Sequence, residues 1–343
     1  MGRVKGFSRV RVDDIAGGGK LMKSMQLFIV AGMMALMTGA PRPAAAAEAQ
    51  TVAIATNAAG QSGYIAALIE AKGISKAHGL KINNMMMDFT EAANALRLGR
   101  TVASTMQPST AVHLRKSGTD VRLLAAQLWS GNAFVVRKDA PYKSFADLKG
   151  KKLGNFSRTT GAYFFSAVIA KENGLDIEKD FQNVPAETIA LMALLERGEV
   201  EAINLQEPHV TRMLVSGRYR VLLDFDNELL RIFGAQPLKT GVAVLKETAD
   251  RQPEMIKAIR AAYIDGIRAI KAGQDKDFFE ANARELFGLK TPEEIAAGLK
   301  RNRENYADVW GERFFESQNK MLQQGMNLGL LPSIGNLNDL WIK

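Results

Sequence analysis

The chain has no cysteine. That excludes disulfides, thiol nucleophiles, cysteine-based metal sites and lipid anchoring through an N-terminal cysteine. Histidine is nearly as scarce, with three in 343 residues. His78 falls between a predicted helix and a predicted strand, His113 lies mid-helix and His209 follows Glu207-Pro208, so each suits a structural or solvated place. No HExxH, GxSxG, GxGxxG or Walker pattern stands where it could act. The one glycine run before a lysine, residues 16–20, lies in the leader described next. No catalytic residue, resident metal or cofactor is expected.

Dense positive charge is also missing once the leader is set aside. Met22 to Ala47 reads as a secretory signal peptide: Lys23 supplies the basic start, Leu27 to Met37 the apolar run, and Ala44 to Ala47 the small residues for cleavage before Glu48. The apolar run is shorter than the ~20 residues that a membrane span needs. Met1 to Leu21 is unusual ahead of such a signal, which points to Met22 or Met25 as the start. Residues 1–47 carry seven basic and two acidic side chains, so their removal takes the formal charge from +9 to +4. No Lys/Arg block with interleaved aromatics remains, and nucleic-acid binding is not expected.

What is present is alternation. Hydrophobic residues make up 47% of the chain, ample for a packed core. From Thr51, apolar strands at 52–55, 81–87, 102–105 and 121–127 each run into a polar turn that opens a helix. The stretch Phe145–Met213 repeats this pattern, with strands at 152–155, 181–184 and 202–205. Strands alternating with helices of this length predict an α/β fold, parallel-type sheets with helices on both faces. Gly241 to Leu245 returns as a strand, Arg251 to Lys271 is a long amphipathic helix, and three more helices follow over 278–286, 292–306 and 314–325. Met85, Met86 and Met87 form part of a buried strand, since consecutive strand residues face opposite ways and cannot converge on one ion.

The pieces DLKGKKLG, a Ser/Thr/Gly turn and helix, NGL, and LLERGEVEAINLQEP, in that order, resemble the substrate-binding proteins of ABC importers. The branch is the one that handles nitrate, sulfonates, taurine and thiamine-precursor pyrimidines. AKGISKAHGLKI, LRLGRTVAST and QPEMIKAIRAAYIDGIRAI extend the resemblance over most of residues 51–270. It implies a two-lobed, type II periplasmic binding protein: residues 48–135 as the first part of lobe 1, 136–238 as lobe 2, and 239–343 as the return to lobe 1 with its C-terminal helices. It also implies a monomeric, non-catalytic periplasmic receptor for a small, anionic solute, serving an ABC permease and its ATPase subunit. A neutral heterocycle as ligand, a sensory module and an enzyme on the same fold stay open as alternatives. The lobe crossings are expected near Phe134–Arg137 and Gln236–Gly241.

In such folds ligands bind beyond the carboxyl ends of the strands, at helix N-termini with unpaired N–H groups and partial positive charge. That edge nominates Gln61, Ser62 and Tyr64 after the first strand, Thr90 after the second, and Gln107 and Ser109 after the third. It nominates Trp129 after the fourth, Arg158, Thr159 and Thr160 in the Ser/Thr turn, then Glu187 and Glu207. Ser62 and Thr90 are expected as helix caps. Arg158 has the planar fork that suits a carboxylate or sulfonate. Glu207 sits in a Glu-Pro pair that resembles a family pattern. Arg158 to Thr160 form one expected wall, and Gln61, Ser62 and Gln107 the facing one.

Overall fold

A computed structural model describes residues 49–57, 60–158 and 160–343. The signal-peptide reading and Thr159 lie outside the described residues. The first lobe begins with β1 (Gln50–Asn57), α1 (Gln61–Ala71), the single turn α2 (Ile74–Ala77) and β2 (Leu80–Met87). It continues through α3 (Phe89–Arg97), β3 (Ala103–Met106), α4 (Pro108–Lys116) and β4 (Val121–Trp129). The chain then enters the second lobe with β5 (Asn132–Arg137), β6 (Lys152–Asn155), α5 (Gly161–Glu172), β7 (Gln182–Pro185) and α6 (Thr188–Glu196). There follow β8 (Ala202–Gln206), α7 (His209–Val215), β9 (Tyr219–Asp224) and α8 (Phe225–Phe233). Return to the first lobe is by β10 (Leu238–Leu245), followed by α9 (Lys246–Arg251), α10 (Pro253–Lys271), α11 (Lys276–Phe287), α12 (Pro292–Asn305) and α13 (Glu312–Asn327). Among the described residues no helix is long and apolar enough to cross a membrane.

Each lobe carries a five-stranded sheet, ordered β2-β1-β3-β10-β4 and β7-β6-β8-β5-β9. Both are parallel except for one strand: β10 runs against β3 and β4, and β5 against β8 and β9. The reversal has a topological cause. Parallel neighbours need a crossover helix between them, and the strands that arrive directly from the other lobe do not have one. They start where the others end, so both first residues and last residues meet at the cleft edge.

The lobes exchange chain at shorter segments than expected. Phe134 to Arg137 pair along β5 inside the second sheet, and Leu238 to Gly241 belong to β10 in the first. The first crossing is therefore Ser130-Gly131, and the second is Ala235 to Pro237. Gly131 has φ +58, and a Cβ there would stand 2.8 Å from Asn305 Oδ1, so glycine meets both a backbone and a packing requirement. A boundary between residues 135 and 136 would cut β5 in two.

Tyr64, Ile65 and Leu68 of α1 pack with Ile259 and Tyr263 of α10 and with Phe279 and Phe287 of α11. A second core seals α6 and α7 onto β5 and β8 through Leu191, Leu195, Ile203 and Met213. The third, largest core spans both lobes, joining Ala111 and Leu123 to Phe134, Phe164, Phe225 and Phe315. Its keystone is α13. That helix packs on α5 and α8 of the second lobe and, through Phe314, on Trp129 of the first. Its Gln318 accepts from Leu238 N at 2.9 Å and donates to Gln236 O at 2.7 Å, fixing the second crossing. The methionine run differs from expectation as well: β2 is an edge strand, so Met86 is exposed.

Candidate functional site

The strand ends of both lobes enclose a cavity of about 210 Å³. From the first lobe, Gln107 occupies the N-cap position of α4 without a side-chain cap hydrogen bond, and Pro108 stands at the first helical position. The Gln107 carboxamide instead reaches over the cleft. A Cβ on Gly161 would stand 2.6 Å from its Oε1, so a larger residue there would push the Gln107 carboxamide aside. From the second lobe, Thr160 caps α5 and accepts from Tyr163 N at 3.2 Å. Glu187 precedes α6 with its side chain exposed, and Thr188 opens that helix. The antiparallel strands contribute their first residues, Asn132 of β5 with Leu238 and Lys239 of β10.

The floor is a buried amide ladder. Asn132 Nδ2 donates to Asn204 Oδ1 at 2.9 Å, and Asn204 Nδ2 donates to Asn155 Oδ1 at 2.9 Å and to Ala162 O at 3.0 Å. Asn155 Nδ2 in turn donates to Ser166 Oγ at 3.0 Å. These bonds run across β5, β8 and β6 and tie the N-terminal turn of α5 to the strand ends beneath it. Around the floor the walls are apolar: Phe156, Phe164, Phe165, Met321 and Leu322 face the same space.

Charge enters from one side. Lys239 Nζ donates to Gln206 Oε1 at 2.8 Å. Burial pushes this ammonium down to about 8, while Asp226 and Glu207 pull it the other way. Burial and the neighbouring Asp224 push Asp226 up to about 7, against the Gly131 N–H bond, Arg301 and Lys239. His209 is driven down to about 4 by burial, with Arg212 and Lys239 adding to the effect. Behind them, Arg301 on α12 donates from Nε to Glu207 Oε1 at 2.9 Å and from Nη2 to Asp224 Oδ2 at 3.3 Å. Burial opposes its charge, but Glu207, Asp224 and Asp226 outweigh that and hold the guanidinium above its ordinary value. Arg301 thus fastens a first-lobe helix to the second lobe. Among the described residues no cluster of three or more His, Cys, Asp or Glu side chains is placed to hold a metal ion.

Of the residues nominated from sequence, Gln107, Ser109, Thr160 and Glu187 line this cavity. The other nominated residues, Thr159 aside, lie elsewhere. Gln61 is buried and bonds to Asn302 and Asn305 of α12 at 3.0 and 2.7 Å, because the start of α1 is covered by that helix. Ser62 is buried in the first turn, and Gly60, not Ser62, holds the cap position. Tyr64 is a core residue whose hydroxyl donates to Asp275 Oδ2 at 2.9 Å. Thr90 is exposed, because Asp88 caps α3 in a reciprocal pair with Glu91. Trp129 packs edge-on against Phe314 in the interlobe core. Arg158 is 61% exposed and pairs with Glu178 at 2.8 Å, on a separate hollow shared with Tyr163. Glu207 serves Arg301 and Thr211. The two expected walls meet only as Gln107 against Thr160 and Gly161.

Sequence reasoning missed Lys239, Asn132, Gln206 and the phenylalanines. A signal existed for Gln206, which ends an otherwise apolar strand; Asn132 and Lys239 stand at the beginnings of β5 and β10, and only the pairing of those strands brings them to the cleft.

The sequence matches the family described as ABC transporter, phosphonate, periplasmic substrate-binding protein over residues 71–266, more than half of the chain. The fold is similar to that of the periplasmic aliphatic sulphonate binding protein SsuA from Escherichia coli, with a TM-score of 0.71 and 16% identity over 85% of this chain and 97% of that one. The alkanesulfonate-binding protein SsuA from Xanthomonas axonopodis pv. citri, bound to MOPS, is similar at a TM-score of 0.64 and 14% identity, over 84% and 96% of the two chains. The periplasmic nitrate-binding protein NrtA from Synechocystis PCC 6803 is similar at 0.60 and 14% identity, over 84% of each chain. No curated protein sequence matches significantly.

Proposed function

This chain belongs to the phosphonate-type periplasmic substrate-binding proteins of ABC transporters, and from that premise we propose that it captures a small anionic solute between its lobes and delivers it to a membrane permease. The observation that carries the reading is the cavity itself. It is built from the strand ends of both lobes, as a site that closes on its ligand must be, and the cleft is bridged where Gln107 meets Gly161. A half-buried ammonium with a charge-neutral floor favours an anion over a cation. At about 210 Å³ the space is below the ~300–1,000 Å³ typical of drug-sized ligands, so the solute is small. The protein works without chemistry of its own; ATP hydrolysis belongs to the partner subunit of the permease. It acts as a free monomer, exported by its signal peptide.

Mass spectrometry of solute released from the purified, denatured protein tests the reading, followed by solution scattering of the emptied protein with and without that solute. We expect one dominant anion and a smaller radius of gyration on its return. A protein that retains no solute and ignores added sulfonates, phosphonates, carboxylates and nitrate is not a receptor of this kind.

A further inference from the structure

The cavity has a lopsided chemistry. Among its described lining residues, Lys239 is the one cation and Glu187 the one anion, and Glu187 is exposed. Lys239 is anchored by Gln206 at 2.8 Å. An ammonium has three donors, so this bond orients the group and leaves donors for a second acceptor. The nearby acids are already engaged: Glu207 accepts from Arg301 and Thr211, and Asp226 from Gly131 N. Phe156, Phe164, Phe165, Leu238, Met321 and Leu322 make up the apolar part of the lining, beside the neutral polar side chains of Gln107, Ser109, Asn132, Thr160, Thr188 and Gln318.

Size and polarity together narrow the ligand. The cavity of about 210 Å³ is many times the ~10–15 Å³ of such space that one water molecule needs. A bare inorganic anion would leave most of it empty against apolar side chains. A zwitterion such as taurine would find one carboxylate for its ammonium, Glu187, which is exposed and already solvated, and would leave the apolar side chains without a partner. A ring-sized apolar body with one anionic head satisfies both ends.

Resting on the receptor reading above, we propose that the solute is an organic monoanion, a carboxylate, sulfonate or monoester-like phosphonate, carried on an apolar ring, with its head on Lys239 and Gln206 and its ring among the phenylalanines. Lys239 is then the residue that selects for charge, and the Phe164/Phe165 wall the element that selects for the body.

The test is calorimetry on the full mature protein, emptied by partial unfolding and refolding. The probes are benzenesulfonate and benzoate, the neutral benzamide, and the small anions methanesulfonate, taurine and nitrate. The arene anions should bind at least tenfold more tightly than benzamide and than each small anion. Lys239→Met should weaken benzoate ten- to hundredfold and erase its advantage over benzamide, whereas Lys239→Arg should keep most of that advantage. The wild-type comparison needs no variant, so the proposal stays falsifiable even where Lys239→Met folds poorly. Nitrate, taurine or methanesulfonate binding as tightly as the arenes would overturn the proposal, as would equal binding of benzamide and benzoate or no binding of either arene anion. If another solute class binds in those cases, the receptor reading stands and only the ring-bearing monoanion falls; if no solute of any class binds, the receptor reading falls with it.

Discussion

Replacing Arg301 by methionine should loosen the attachment between the lobes and destabilise the whole protein. Arg301 stands on α12, which packs on α10 and α11 of the first lobe and on α7 of the second; Asn302 and Asn305 bond to Gln61, and Tyr306 O–H, just after the helix, donates to Gln61 O at 2.5 Å. Across the boundary it meets Glu207, whose side chain is 5% exposed, and Asp224, 22% exposed. Methionine keeps the apolar stem and its packing, so the loss is electrostatic. Glu207 then keeps only Thr211, N at 3.2 Å and Oγ1 at 2.8 Å. Breaking a fully buried pair costs about 3–5 kcal/mol, but Arg301 is 31% exposed and water shares its charge, so about 2–3 kcal/mol is the better figure. At roughly 2–4 °C per kcal/mol for a chain of this class, the melting temperature should fall by on the order of 5–10 °C. Glu304→Gln is the control, since Glu304 is half exposed and bonds Arg301 from the same helix at 3.3 Å; it should cost under about 0.5 kcal/mol. Differential scanning calorimetry of both variants, of Glu207→Gln and of Arg301→Met/Glu207→Gln gives the Arg301–Glu207 coupling. A drop under about 2 °C for Arg301→Met, or one equal to that of Glu304→Gln, would refute the claim that this pair holds the lobes together.

Asp226→Asn should gain on the wild type as pH rises from about 4 to about 7, because the folded wild type must ionise a carboxyl held up to about 7 while the unfolded chain ionises it near the ordinary value; melting curves at pH 5 and pH 8 that give the same difference would count against this. Asn204→Leu strands Asn132 Nδ2 and removes one of the donors to Asn155 Oδ1, which keeps Phe156 N, so the unfolding free energy from denaturant melts should fall by about 1–3 kcal/mol at unchanged slope, and a loss below about 0.5 kcal/mol would mean that water replaces the ladder. Arg158→Ala should leave affinity for the extracted solute within about twofold, since that side chain pairs with Glu178 away from the cavity; a tenfold loss would restore it to the site. N-terminal sequencing of exported protein should begin near Glu48, and a chain that retains Met37 would remove the signal-peptide reading.

The strands and helices were legible because both lobes have covered sheets, and covered parallel strands read as short apolar runs bounded by turn residues. The same property hid the crossing. Ala133-Phe134-Val135-Val136 is as apolar as any central strand, and nothing local says which sheet it joins; only its pairing with β8 and β9 does. The C-terminal helices illustrate the limit in another way. Phe314 and Phe315 mark an apolar face on α13, but whether that face meets the first lobe or the second depends on Phe164, Trp129 and Trp341, which are distant in sequence.

The site was legible where it rests on helix starts and illegible where it rests on topology. Gln107, Ser109, Thr160 and Glu187 follow strands directly, and any doubly wound arrangement puts such residues at the cleft. Their chemistry then splits on a detail that sequence does not carry. Thr160 turns inward to cap α5, whereas Gln107, at the same position of α4, makes no cap hydrogen bond and reaches Gly161 instead. Phe164 and Phe165 recur at the spacing of a core face, and a wall built for an apolar ligand obeys the same spacing as a wall built for the interior, so periodicity cannot separate the two. Lys239 is the furthest from reach. It faces the cavity because β10 comes back from the second lobe and runs against its neighbours, which brings the beginning of that strand, not its end, to the cleft. The charge that should choose the ligand is placed by the path of the chain between lobes rather than by any local motif.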